Sequence, residues 1–569
     1  MGNYITYEQN IQNSHAFFGN EHLNPDSKSS ENPQHNLFNF DEISFDSRFE
    51  GGNLMYADKV NPGEYNLWIT PDCFKTQYET GHRVSFYFKA GNINLQGFPS
   101  RTVTFRIMNM DELEYQNYQE GMVPVYLSQN NNSIWHYIPT TLTELNKVND
   151  KTIEISFQYT FNSLDSQKGV YFAFTFPYTY SDSQRFLDQT EKSYALSPSV
   201  YFHRELLTYS PEGKRIDLLT ITAHDNYSQN PTAPYILEPL IPGLFPTHVT
   251  PLMEPPLLSN RNIHRPYVFR NKGYILLSAR VHAAESPANF MLQSFIQNLL
   301  KQNDPVSQAL LQNFVFVIVP MINPDGVSRG HYRTDLKGRD MNRVYDQAIL
   351  NKDEFPGPHA IMQLAKSFST DKRLAMYIDF HAHSNKNSGF LLGAYHQDAE
   401  TMAEIRLFAR LFDMYSKNFD FNCCEFGVPE DAHEKGGIAK TAVRNLTGIV
   451  HSYTLEAGYH KSTKDFYRYS PQHNINQDLT KAVSRRVGIP EFFEMGDTIR
   501  HAILETLLRY HPNSILPSTW YGDVNNLRSK ILNNLVQAPE IMELMEKIKE
   551  GRITRESGEQ EDHGQDVGM

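Results

Sequence analysis

The sequence predicts an α/β fold, a mixed sheet flanked by helices, preceded by an antiparallel β-sandwich. Three observations carry this. From Phe45 onward, short segments alternate polar and apolar residues and are separated by turn residues. From Gly273, strand-like apolar runs alternate with helix-length segments, as in a sheet covered on both faces. The chain has 569 residues, too many for one ordinary core, so two or three domains are expected.

Taken in order, residues 1–40 are rich in Asn, Ser, Gln and His and are expected to form a disordered tail. Residues 41–175 form the sandwich domain, with strands at 65–69, 84–88, 102–107 and 152–157. It shows no cluster of nucleophiles or metal ligands, so a binding or folding role is its default. Residues 176–512 form the α/β domain. A helix is expected around 182–187, and 202–209 with 215–222 flank Ser-Pro-Glu-Gly as a hairpin. Residues 226–270 are Pro- and Asn-rich and read as a long loop. Then come strand 274–281, helix 286–301, the unbroken apolar run 314–321 as a buried strand, and a polar loop at 322–345. Helix 358–368, strand 375–380, helix 398–416, strand 448–455 and helix 491–509 follow. Residues 513–569 read as a C-terminal helix and an acidic, disordered tail.

Composition excludes several function classes. Apolar residues are 40% and charged residues 21%, as in a soluble globular protein, and no apolar run reaches the length of a membrane span. The net charge of -13 argues against nucleic acid as a partner, and an acidic substrate needs a locally basic pocket. Cys73, Cys423 and Cys424 are too few for a disulfide framework and suit a reducing compartment. Met1-Gly2-Asn3-Tyr4-Ile5-Thr6 fits the pattern for an N-myristoyl anchor at Gly2.

Three stretches collect the chemistry. The run 274–281 delivers His282 and, three residues on, Glu285, which suits a catalytic zinc site with one position open to water. A third ligand is expected at His381, which follows strand 375–380 directly; His383 competes for the role by alternation. Asp379 is placed to orient a neighbouring imidazole. The loop after Asn323-Pro-Asp-Gly326 carries Arg329, Arg333, Lys337, Arg339 and Arg343, five cations within fifteen residues of an acidic protein. A guanidinium there can hold a carboxylate or an oxyanion. In the last strand Ser452, Thr454 and Glu456 share a face. A carboxylate at a buried strand end needs a partner or a task, and general-base catalysis is such a task.

These residues, in this order, resemble the zinc carboxypeptidases of the carboxypeptidase A superfamily. The motifs are His282-x-x-Glu285, a distant His381, Asn-Pro-Asp-Gly, Asp340-x-Asn-Arg343 and Tyr453-Thr-x-Glu456. The preceding β-domain and the Tyr209-Ser-Pro-Glu-Gly-Lys-Arg215 hairpin narrow the resemblance to the cytosolic carboxypeptidases. Phe45–Leu54, Glu64–Trp68 and Tyr201–Leu207 make the chain most similar to the member that removes the branch-point glutamate of polyglutamylated tubulin.

The resemblance implies one Zn²⁺ per chain on His282, Glu285 and His381. It implies Arg333 on the scissile carbonyl, Asn342 and Arg343 on the terminal carboxylate, and Glu456 as general base. It implies Lys440, sixteen positions before Glu456, as the cation that selects an acidic side chain. The implied partner is glutamylated tubulin or the microtubule, in the cytoplasm or at the cytoskeleton or cilium. Trimming of linear polyglutamate is the alternative within the enzyme class. A silent binder of tubulin tails is the alternative outside it, motivated by Ala283-Ala284 where the family usually has Pro-Gly. If the family glycine sits at positive φ, alanine there costs about 1 kcal/mol and disturbs the ligand turn.

Overall fold

The structure, a computed structural model, describes residues 36–128, 134–224, 271–427, 436–464, 485–508 and 524–536, with a few positions between 238 and 269. Gly2 and the tail to residue 35, most of the 226–270 loop and the chain after 536 lie outside the described residues.

Alternation of side chains builds the β-rich N-terminal domain. One sheet runs Leu37–Asn39, Ser44–Asp46, Tyr87–Gly91, Val170–Ala173, Val125–Ser128, Trp135–Tyr137. The other runs Tyr56–Asn61, Glu64–Trp68, Ser100–Asp111, Thr152–Asn162, Thr143–Asn149. Every second residue of Ser100–Asp111 from Val103 to Ile107 points inward, and Phe105 meets Phe172 of the facing sheet with ring centroids 5.0 Å apart. All neighbours are antiparallel except Glu64–Trp68 beside Ser100–Asp111. Between these two strands the chain visits the other sheet at Tyr87–Gly91, so it re-enters running in the same direction. The strand expected at 84–88 pairs only from Tyr87, although Val84 and Phe86 are already buried.

A seven-stranded mixed sheet forms the rest of the core. Its strands in chain order are β1 (Val200–Tyr209), β2 (Arg215–Ala223), β3 (Gly273–Ala279), β4 (Phe314–Val319), β5 (Leu374–Phe380), β6 (Gly389–Gly393) and β7 (His451–Ala457). Their order across the sheet is β1-β2-β4-β3-β5-β7-β6. The four central strands are mutually parallel; β1, β2 and β6 pair antiparallel. The principal helices are α1 (Tyr180–Tyr194), α2 (Ser286–Leu299), α3 (Pro305–Asn313), α4 (Pro356–Thr370), α5 (Ala399–Tyr415), α6 (Ala439–Thr447), α7 (Ile489–Leu507) and α8 (Val524–Val536). Side-chain alternation in β3 divides the core in two. Ile275, Leu277 and Ala279 face α2, α5 and α7; Tyr274 and Leu276 face α4 and α6. Local signals set the helix starts: Thr179 and Asp182 form a capping box on α1, and Asp304 and Asp398 cap α3 and α5. The polar loop expected at 322–345 is partly helical. Asn323 caps a short turn, Pro324–Arg329, which ends at Gly330 in the left-handed region.

Parallel pairing positions the site. Ala279 of β3 lies opposite Phe380 of β5, and Phe380 lies opposite Leu455 of β7. Residues that follow or end these three strands therefore emerge at one edge of the sheet, where such folds place their ligands.

Candidate active site

His282, Glu285 and His381 meet at that edge, with ligand atoms all within 4.8 Å of one another. Glu285 lies between the imidazoles. Its Oε1 is 2.7 Å from His282 Nδ1, and its Oε2 is 2.9 Å from His381 Nδ1. The amide of Ala382 also donates to Oε2 at 3.0 Å. The far ring nitrogens are held as well. His282 Nε2 is 2.9 Å from Asp340 Oδ1, and His381 Nε2 is 2.8 Å from Asp379 Oδ2. Asp379 is in turn fixed by the Ser278 hydroxyl, which donates to its Oδ1 at 2.7 Å. Both rings thus present Nδ1 to a common point. His383 does not join them; it packs on Phe390, and its Nδ1 accepts from the Asn385 amide.

Neighbouring charges govern these buried groups. Burial pulls the His381 imidazole down, but the carboxylates of Asp379 and Glu285 outweigh it and hold the pKa well above its ordinary value. Burial lifts Glu285, but His282 and His381 together draw it well below the usual carboxylate range. The imidazoles and the carboxylate attract one another across the pocket.

Glu456 is the penultimate residue of β7 and is 6% exposed. Its Oε2 has no hydrogen-bond partner among the described residues. Burial raises its pKa, and the charge of Glu285 adds to the rise against the pull of His381. Arg333 is half-buried. Its Nε and Nη2 donate to Asp340 Oδ2 at 2.9 and 2.6 Å, so Asp340 touches both Arg333 and His282. Arg343 is more exposed and donates to the carbonyl of Asn342 at 2.8 Å. Asn342 is buried, and its Oδ1 accepts from the amide of Ala439 at the start of α6. Lys440 follows in the first turn of α6, with Nζ 3.4 Å from the Gly393 carbonyl at the end of β6. The Lys440 carbonyl accepts from Ser452 of β7 at 2.7 Å, which ties α6 to the strand that carries Glu456.

Residues 184–483 match the family of zinc carboxypeptidases, and residues 45–175 match the cytosolic carboxypeptidase N-terminal domain.

The chain belongs to the zinc carboxypeptidase family.

Among curated relatives of this family, cytosolic carboxypeptidase-like protein 5 of Homo sapiens is 28% identical over 539 residues, 73% of this chain. The chain spans 58% of that relative's length. Cytosolic carboxypeptidase 6 of Homo sapiens is 30% identical over 429 residues, 74% of this chain and 72% of the relative. Among solved structures, a metallo-carboxypeptidase from Burkholderia cenocepacia shares the fold at TM-score 0.57 and 18% identity, covering 82% of this chain and all of that one. A metallo-carboxypeptidase from Pseudomonas aeruginosa does so at TM-score 0.55 and 17% identity, over 81% of this chain and 98% of its own.

The donor set fits the metal this zinc family is named for. Two imidazole nitrogens and one carboxylate converge, each imidazole is backed by a carboxylate, and a buried carboxylate oxygen with no partner is set on the adjoining strand. The strain expected at Ala283-Ala284 is not there. Neither residue has a positive φ; the left-handed residue of this turn is Arg280, at φ 62°. Its guanidinium fixes the turn by donating to the Ala283 carbonyl at 2.8 Å and to Asn289 Oδ1 at 2.7 Å. Two neighbours of the site escaped the sequence reading. Asp340 sits inside the Asp-x-Asn-Arg motif, in which the resemblance gives roles only to Asn342 and Arg343. Asp72 carried no signal, because it belongs to the N-terminal domain and meets the site loop 262 positions later.

Proposed function

We propose that this chain is a zinc metallocarboxypeptidase that removes glutamate from polyglutamylated proteins, chiefly the branch-point glutamate of tubulin tails. The convergence of His282, Glu285 and His381 near Glu456, whose buried Oε2 has no partner among the described residues, carries the reading. A zinc ion bound by the three residues would supply Lewis acidity and an activated water. Glu456 takes the proton of the attacking water and delivers it to the leaving amine nitrogen as the carbon–nitrogen bond breaks. Its burial suits this task, since a raised pKa makes it a stronger base than an exposed carboxylate. Arg333, which Asp340 holds by a hydrogen bond, stabilises the oxyanion in this reading. Arg343 and the remaining amide donor of Asn342 receive the terminal carboxylate. Lys440 receives the acidic side chain as a point charge rather than a bidentate fork. These cations answer the repulsion that a net charge of -13 imposes on an acidic tail.

The choice of tubulin and of the branch point rests on the sequence resemblance, as does a cytoplasmic or cytoskeletal location. No described helix is long and apolar enough to cross a membrane. The deciding experiment supplies branched and linear glutamylated tubulin peptides to purified protein, with and without a zinc chelator. Release of the branch-point glutamate, abolished by the chelator and restored by zinc, is expected. Trimming of linear chains alone sinks the branch-point reading; binding without turnover by zinc-loaded protein sinks the enzyme.

A further inference from the structure

The N-terminal domain reaches into the active site through one carboxylate. Asp72 is 2% exposed and follows the strand Glu64–Trp68 of the second sheet. Its Oδ1 accepts from the backbone amide of Tyr332 at 2.6 Å. Its Oδ2 accepts from the amides of Arg333 and Thr334, both at 2.9 Å, and from the Thr334 hydroxyl at 3.0 Å. Three successive amides curl around one anion, a concave arrangement that backbone forms readily around negative charge. Charge-assisted bonds of this kind are about twice as strong as neutral ones.

The same loop is docked at both ends by backbone-to-backbone approach. A Cβ on Gly330 would lie 2.7 Å from the Gly51 carbonyl oxygen, and one on Gly338 would lie 2.4 Å from that of Tyr78. Both glycines have positive φ, 71° and 68°. The other side of the loop faces the metal ligands: the Tyr332 carbonyl accepts from the Ala284 amide at 2.8 Å, inside the His282–Glu285 turn. Asp72 is therefore two bonds from a ligand turn and one peptide from the Arg333 side chain.

We propose that Asp72 is a positioning residue of the reaction: a carboxylate lent by the N-terminal domain that fixes the 332–334 backbone and so aims Arg333 at the oxyanion. The inference rests on the role given to Arg333 above. A displacement of about 1 Å in such a group costs on the order of 100-fold in rate, with little effect on ground-state binding.

The test measures kcat, KM and zinc content of full-length Asp72→Asn, Arg333→Lys and the double variant on a glutamate-terminated peptide. Asp72→Asn should keep about one zinc per chain, lose about 10- to 100-fold in kcat and change KM by less than about threefold. The double variant should be no slower than Arg333→Lys alone, because both act on one interaction. Wild-type kcat in Asp72→Asn, or losses that multiply in the double variant, overturns the proposal. Full activity in Arg333→Lys removes the role of Arg333 and overturns the proposal with it, whereas a slow Arg333→Lys beside a wild-type Asp72→Asn overturns the proposal alone. Should Asp72→Asn not fold, hydrogen exchange in the unmodified protein decides. Amides 332–334 protected as strongly as β3 support the clamp; exchange at the rate of an open loop refutes it.

Discussion

Glu285 occupies the N-cap position of α2, yet its side chain makes no capping bond. A cap is worth about 1 kcal/mol, so the carboxylate is withdrawn from a stabilising role to stand between His282 and His381. Pro287, near the start of α2, preserves the helix start without it. Glu456 shows the same priority, with a buried oxygen left unpartnered. Changing Glu456→Gln is expected to cut turnover by about 10²- to 10⁴-fold, with zinc content unchanged by elemental analysis. Asp379→Asn removes the anchor of His381 and should weaken zinc by about 10- to 100-fold, measured by competition with a chelator. Wild-type affinity in that variant would show that Asp379 orients nothing. The positions His282, Glu285 and His381 were legible in the sequence because they follow strand-length runs, and Glu456 because a carboxylate at the end of a strand needs a partner or a task. Asp340 was not, because a carboxylate in a cation-rich loop reads as a charge partner of any of five neighbours.

At the scale of elements, the site depends on how tightly α2 is seated. Gly496 of α7 abuts α2 so closely that a Cβ there would lie 2.0 Å from the Met291 carbonyl oxygen. Gly496→Ala is expected to force the two helices apart and cost about 1–3 kcal/mol, read as a lower urea midpoint. An unchanged midpoint would show that the pair slides freely. The alternation of β-strands with helices was legible from Gly273 on, because strand-length segments alternate with helix-length ones and β4, buried on both faces, is an unbroken apolar run. The parallel pair in the N-terminal domain was not, because direction within a sheet follows the path between strands rather than the residues in them.

For the molecule as a whole, the two domains share one wall. The aromatic core of the N-terminal domain is closed by Ala382 and Tyr459 from the catalytic side. Across this wall the Tyr332 hydroxyl donates to Glu114 Oε1 at 3.0 Å, and Asn117 donates to Oε2 at 2.7 Å. Burial pushes the Glu114 carboxyl up from its ordinary 4.5 to about 7, more than these two bonds lower it. The folded protein then keeps a proton that the unfolded chain releases between those values. Stability falls as pH rises through that window, by at most about 3 kcal/mol. Glu114→Gln should therefore stabilise the protein at pH 8 and make no difference near pH 4, by denaturant titration. Equal effects at both pH values would remove Glu114 as the cause. None of this wall was legible in sequence, where its partners stand hundreds of residues apart and neither half carries a motif for the other.

The contacts of Gly330 with Gly51 and of Gly338 with Tyr78 are made by backbone, at two loop positions that only glycine fits. A chimera that joins the N-terminal domain of one relative to the catalytic domain of another would have to reproduce a loop path to within a few tenths of an ångström. The two halves are thus poor candidates for exchange as modules, although each half has a core of its own.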